Sequence, residues 1–254
     1  MRNKNLYIIF ILLIIFASTT LAQQTQSLSF PLPKLDVQVG NSDNPKDVSV
    51  TLQILLLMTI LALAPSIMIM TTAYLRIIIV FHFLKSALGT QQMPPGQLLA
   101  GVALFITFFV MAPTWNKVNE EALKPLMDEK ITTEEAYNKG IEPIREFMFR
   151  NVRDEDLGLF ISLANMTRPK NRNELPTYIV VPAFVISELR TGFIIGFFLF
   201  IPFLMVDMII ASILMSMGMM MLPPMLVSLP FKILLFILVD GWNLIIGSVV
   251  RSFG

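Results

Sequence analysis

Four long apolar zones organise the chain: Leu52 to about Leu84, Leu98 to Pro113, Ile179 to Leu222 and Phe231 to Val250. Each provides for one membrane-spanning helix, and the two longer ones have room for a broken pair. Between the second and third zones the pattern changes. Thr132 and Glu135 have the spacing of a helix capping box, and Ile141, Ile144, Phe147 and Met148 then recur on one helical face before Arg150. Asp154, Glu155 and Asp156 suit the positive end of a second helix, with Leu157, Phe160, Ile161 and Ala164 as its apolar stripe. Two short amphipathic helices are too few for a core of their own, so they are expected to pack on each other and on a neighbouring subunit. The pattern predicts an all-α integral membrane protein of about four long hydrophobic helices, some broken into hairpins, with a small polar helical domain.

A shorter apolar run, Leu6 to Phe16, follows Arg2 and Lys4 and ends before Thr20-Leu21-Ala22. This is the pattern of a cleavable signal peptide over 1–22, since eleven apolar residues are too few to cross about 30 Å of hydrocarbon. Residues 23–49, with Pro31, Pro33, Gly40 and Pro45, read as an extended extracytoplasmic lead-in. The remaining divisions are a first hydrophobic hairpin over 50–114, the polar extracytoplasmic domain over 115–178, and a second hydrophobic hairpin over 179–254. An outside N-terminus then places 85–97 inside, 115–178 outside and the turn after the third zone inside. Positive-inside support rests on Arg76, Lys85 and Lys232.

Composition agrees with a membrane protein: 55% of residues are hydrophobic, 15% are charged, and the mean hydropathy is +0.70. Between Trp115 and Tyr178 lie 12 of the 18 acidic residues, which makes this stretch the one solvated domain. The net charge of +1 excludes a nucleic-acid binder, which needs a concentrated basic face. Without cysteine there is no disulfide framework and no thiol nucleophile, and the single His82 forms no His-rich metal site. No cofactor is expected.

The apolar zones carry residues that a lipid-facing helix avoids: Pro65 and Arg76 in the first, Pro202 and Asp207 in the third, Asp240 in the fourth. Such groups are tolerated against other protein or a water-filled cavity. Gly192 and Gly196 have the spacing that lets helix backbones approach closely. Glu188 and Lys232 are expected to form a buried pair, within or between subunits, with snorkelling of Lys232 to the interface as the alternative. Asp207 and Asp240 raise the idea of a paired-carboxylate protease. Their contexts, Met-Val-Asp-Met and Leu-Val-Asp-Gly-Trp, lack the Gly-x-Gly-Asp signature, and neither H-E-x-x-H nor G-x-S-x-G occurs. The chain reads as not an enzyme.

Six of the 17 methionines fall between Met215 and Met225, beside Gly218 and Pro223-Pro224. Taken alone, they fit ordinary helix packing. Their surroundings narrow the choice. "VPAFVISELRTGFIIGFFLFIPFLMVDMIIASILMSMGMMMLPP", "LPFKILLFILVDGWNLIIGSVVRSF" and "FLKSALGTQQMPPGQLLAGVALFITFFVMAPTW" resemble the FliP family of type III export-gate proteins, over about Leu52 to Phe253. The resemblance implies a pentameric homo-oligomer that joins FliQ and FliR in a pore-containing gate. That gate lies in the bacterial inner membrane at the flagellar basal body and passes unfolded export substrates. It also implies that Met219, Met220 and Met221, with Met215 and Met217 adjacent, line the pore as a gasket. Such a role suits unbranched, flexible, apolar thioethers, which close against water and still mould around varied chains. The alternatives are an injectisome-type gate subunit and a small-solute carrier.

Overall fold

The computed structural model describes residues 45–90, 93–166, 171–219 and 221–254, with side chains from residue 51 onward. The expected signal segment, most of the lead-in and Met220 lie outside the described residues. The chain divides into two units, Met1–Gln53 and Ile54–Gly254, and the second carries the helical core. Every regular element among the described residues is helical.

The first apolar zone is two helices, α1 (Pro45–Met70) and α2 (Tyr74–Leu88). Pro65 stays inside α1, and α1 begins at Pro45, within the segment expected to be extended. The break falls instead at Thr71-Thr72-Ala73. Thr71 Oγ1 donates to the Ile67 carbonyl at 2.9 Å, so a hydroxyl competes for a terminal acceptor. Thr72 Oγ1 accepts at 3.4 Å from the amide of Tyr74, the first residue of the next helix. From Leu52 to Met70 no residue of α1 is buried within the chain, and its apolar side chains point outward on all sides. A helix apolar all round belongs in lipid or against another protein.

Helix α3 (Gly96–Val118) does not stop at Pro113. It runs through a wider π turn (Asn119–Leu123) into α4 (Lys124–Met127), so one helical rod of 32 residues, apolar in its first part and polar from Asn116 onward, enters the stretch expected to be polar domain. The polar helices are α5 (Thr133–Asn151) and α6 (Asp154–Leu163). Thr132 and Glu135 form the capping box: Thr132 Oγ1 accepts from the Glu135 amide at 3.3 Å, and Glu135 Oε2 accepts from the Thr132 amide at 3.1 Å. The two helices do not build a core between themselves. Helix α5 packs on α3 and on the long helix α7 (Thr177–Ser216), and α6 packs on α7. Lys117 Nζ meets Glu146 Oε2 at 2.7 Å and holds that carboxyl below the usual range. Both side chains are half exposed, so the pair contributes little.

The third zone is a single unbroken helix of 40 residues, α7, despite Pro182 and Pro202. The fourth breaks into α8 (Pro224–Leu238) and α9 (Gly241–Arg251), bent by 65°. The hinge is Asp240, in the left-handed region at φ 48°, a conformation that a short polar side chain tolerates better than most. Among the described residues, three helices are long and apolar enough to cross a membrane, or four if the bent pair counts as one. Helix α2 is the central strut. It packs most extensively on α7 and also touches α3, α8 and α9. Its fully buried face comprises Ile77, Val80, Phe81 and Leu84.

Candidate functional site

The loop between α7 and α8 is built by its own local chemistry. At the end of α7, Gly218 is left-handed at φ 74°, the Gly218 amide donates to the Met215 carbonyl at 3.1 Å, and the Met219 amide donates to the Leu214 carbonyl at 3.0 Å. This pair of bonds with a left-handed glycine is the Schellman ending, which residues with a Cβ adopt only under strain. Pro223 and Pro224 then start α8, Pro224 at the first helical position where a missing amide proton costs nothing. The turn leaves its thioethers outward. Met215, Met217, Met219 and Met225 are exposed, and Met221 is 99% exposed. These methionines do not pack between the helices of their own chain.

Below the loop, the two stems are tied together. Lys232 on α8 donates to Asp207 Oδ2 on α7 at 2.6 Å and to the Ala87 carbonyl at 3.1 Å. Ser228 donates to the other carboxylate oxygen, Asp207 Oδ1, at 2.5 Å. Lys232 and Ser228 are buried. Asp207 and Ser228 bracket the methionine loop in sequence, so this triad fixes the hairpin while the loop itself stays unpacked.

A second buried node lies further along α7. Arg76 on α2 forms an ion pair with Glu188, its Nε donating to Oε2 at 2.9 Å and its Nη2 to Oε1. Nη1 donates to the Ser252 carbonyl at 2.6 Å and to Ser252 Oγ at 2.8 Å, and Nη2 also reaches Asn151 Oδ1 at 3.3 Å. All five guanidinium protons therefore have acceptors, which a buried cation requires. The guanidinium also stands 3.8 Å over the Phe253 ring, which stacks on Phe147. One arginine thus joins α2, α5, α7 and the C-terminal residues.

The expected pair of Glu188 with Lys232 does not form. Each takes a nearer partner: Glu188 takes Arg76 and Lys232 takes Asp207. Nor is Lys232 snorkelling, since its side chain is 3% exposed. Asp240, expected at a buried position, is exposed and accepts from Asn243 Nδ2 at 3.2 Å. No hydrogen bond links it to Asp207, so the two aspartates do not make a carboxylate dyad. Gly192 and Gly196 are buried against α2. A Cβ on Gly192 would stand 3.1 Å from Ile79 Cγ2, and one on Gly196 would stand 2.5 Å from the Phe83 ring.

Reading the sequence alone misses three further buried polar contacts. Ser187 Oγ donates to the buried Asp156 Oδ2 at 2.6 Å and accepts from the Arg153 amide at 3.1 Å, which fastens α6 to α7. Arg145 donates to Thr177 Oγ1 and to the Leu175 carbonyl, each at 2.6 Å, and fixes the entry to α7. Ser252 and Phe253 complete the Arg76 node. The signal for Arg76 was present as a lone cation among isoleucines, but no pattern marks its distant acceptors.

Comparison with known proteins bears on the same segments. The model of the FliP family matches residues 57–249. Flagellar biosynthetic protein FliP of Bacillus subtilis is 55% identical over 217 residues, covering 85% of this chain and 98% of that protein. The protein of the same name from Borreliella burgdorferi is 45% identical over 241 residues, covering 94% of this chain and 93% of its own length. That from Caulobacter vibrioides is 50% identical over 201 residues, 79% of this chain and 76% of the relative.

Proposed function

The chain belongs to the FliP family, and from that premise we propose that it is a pore-forming subunit of the flagellar protein export gate, passing unfolded flagellar proteins across the bacterial inner membrane. The flagellar rather than the injectisome branch is favoured because the relatives above carry the flagellar name. In this reading several copies, five by expectation, assemble with FliQ and FliR at the flagellar basal body. The protein acts by binding, sealing and yielding and performs no reaction of its own.

The observation that carries the reading is the exposed methionine turn on a tied hairpin. Apolar side chains this exposed, on a loop whose stems are locked by Asp207, Ser228 and Lys232, need an apolar partner, and copies arranged around an axis supply one to each other. Each thioether keeps three rotatable bonds, so the ring closes against water when empty and reshapes around a passing chain. The outward apolar faces of α1 and α7 are then free for lipid and the other gate subunits.

The chain has no cysteine, so a single Met221→Cys variant reports the loop alone. If the loops converge, mild oxidation of the assembled complex in membranes yields disulfide-linked dimers of this chain. Leu159→Cys, equally introduced on exposed α6, serves as the comparison. Absence of cross-linked chains at 221 in an intact complex would refute convergence.

A further inference from the structure

At the C-terminal end of α2, a cavity of about 330 Å³ is lined by His82, Lys85, Ser86, Gly89, Thr90 and Met225. That volume lies within the range of about 300–1,000 Å³ usual for small-ligand sites. His82, Lys85, Ser86 and Gly89 follow one another at helical spacing and so share one face. With Thr90 they bring an ammonium, an imidazole with an N–H in either charge state, and two hydroxyls. Neither His82 nor Lys85 makes an ion pair or side-chain hydrogen bond among the described residues. Thr90 Oγ1 is buried with no partner among them, which is rare in a folded protein and calls for a hydrogen-bonding partner.

The electrostatics point one way. Among the described residues no carboxylate lines the cavity, and Asp207, the acid on the neighbouring stem, is already taken by Lys232 and Ser228. Lys85 also complements the negative end of α2, but that role explains neither His82 nor the buried Thr90 hydroxyl. An ammonium, an imidazole N–H and two hydroxyls able to donate, with no opposing carboxylate, recognise a group that offers several oxygens at once, and a phosphate does so. Met225, on the cavity wall, is the second residue of α8, at the start of the bent pair that makes a fourth candidate span, and the end of such a span is the level at which a helix meets lipid headgroups.

We propose that this cavity is a phosphate-binding site, filled by the headgroup of an anionic phospholipid. The site does not depend on the export reading, although Met225 at the start of α8 forms part of its wall. To test it, full-length protein in its detergent-extracted assembly is studied by native mass spectrometry after adding phosphatidylglycerol, phosphatidylcholine or inorganic phosphate. The wild type should retain phosphatidylglycerol in preference to phosphatidylcholine, and Lys85→Gln should lower that retention about tenfold, the effect of losing one charge-assisted hydrogen bond. Thr90→Val removes the hydroxyl at nearly constant shape. It should weaken retention while leaving thermal stability equal or higher, a split that a merely structural threonine would not give. Displacement of the lipid by millimolar inorganic phosphate would assign the same site to free phosphate. Equal phosphatidylglycerol retention by wild type, Lys85→Gln and Thr90→Val would overturn the proposal.

Discussion

At the scale of single residues, the buried charges hold the molecule's internal geometry. Glu188 is fully buried with Arg76, so Arg76→Met alone strands a carboxylate and Glu188→Leu alone strands a guanidinium. Each single change should cost about 3–5 kcal/mol, while the double apolar replacement recovers most of the loss, as thermal unfolding of the extracted protein will show. Glu188 and Lys232 give the opposite result. Because they belong to different nodes, their effects on stability should add to within about 0.5 kcal/mol, whereas Asp207 and Lys232 should couple strongly. That the chain contained buried charges was legible from Glu188, Lys232 and Asp207 among apolar neighbours. Their pairing was not, because Arg76 and Glu188 are 112 positions apart and only the packed fold brings them together.

At the scale of elements, hydropathy located the helices but misjudged where they break. The prolines set none of these breaks: α1 keeps Pro65 and α7 keeps Pro202. The breaks fall at two threonines whose hydroxyls compete for backbone groups, and at a left-handed aspartate. Apolar zones read as isolated rods also hide contacts between helices, which is why the polar helices α5 and α6 were assigned to each other when, within their own chain, they pack on α3 and α7. The glycine spacing was legible and yields a graded prediction. Gly196→Ala should destabilise more than Gly192→Ala, since its Cβ would also stand 2.9 Å from Phe83 Cβ, which cannot swing away. Overpacking of this kind costs about 1–3 kcal/mol. Phe83→Ala, which removes the ring atoms at 2.5 Å, should recover part of the Gly196→Ala loss in a melting experiment, and no recovery would show that the helices meet elsewhere. Gly218→Ala should cost about 1–2 kcal/mol through its left-handed backbone alone, since nothing lies within 4 Å of the added carbon.

At the scale of the whole molecule, a locked frame carries an unlocked loop. The Arg76 node ties α2, α5, α7 and the C-terminal residues, the Asp207 triad ties the stems of the hairpin, and the exposed methionines between those stems are left free. The central claim is that these methionines seal a pore between copies. Replacing Met219, Met220 and Met221 together by alanine removes apolar bulk without adding charge and leaves both nodes intact. Ion conductance of the assembled complex in membranes, followed with an ion-sensitive dye, is the direct measurement. A raised leak with normal assembly is the predicted result, because a constriction lined by methyl groups in place of thioethers wets. A triple alanine complex that assembles fully and stays as ion-tight as the wild type would contradict the account.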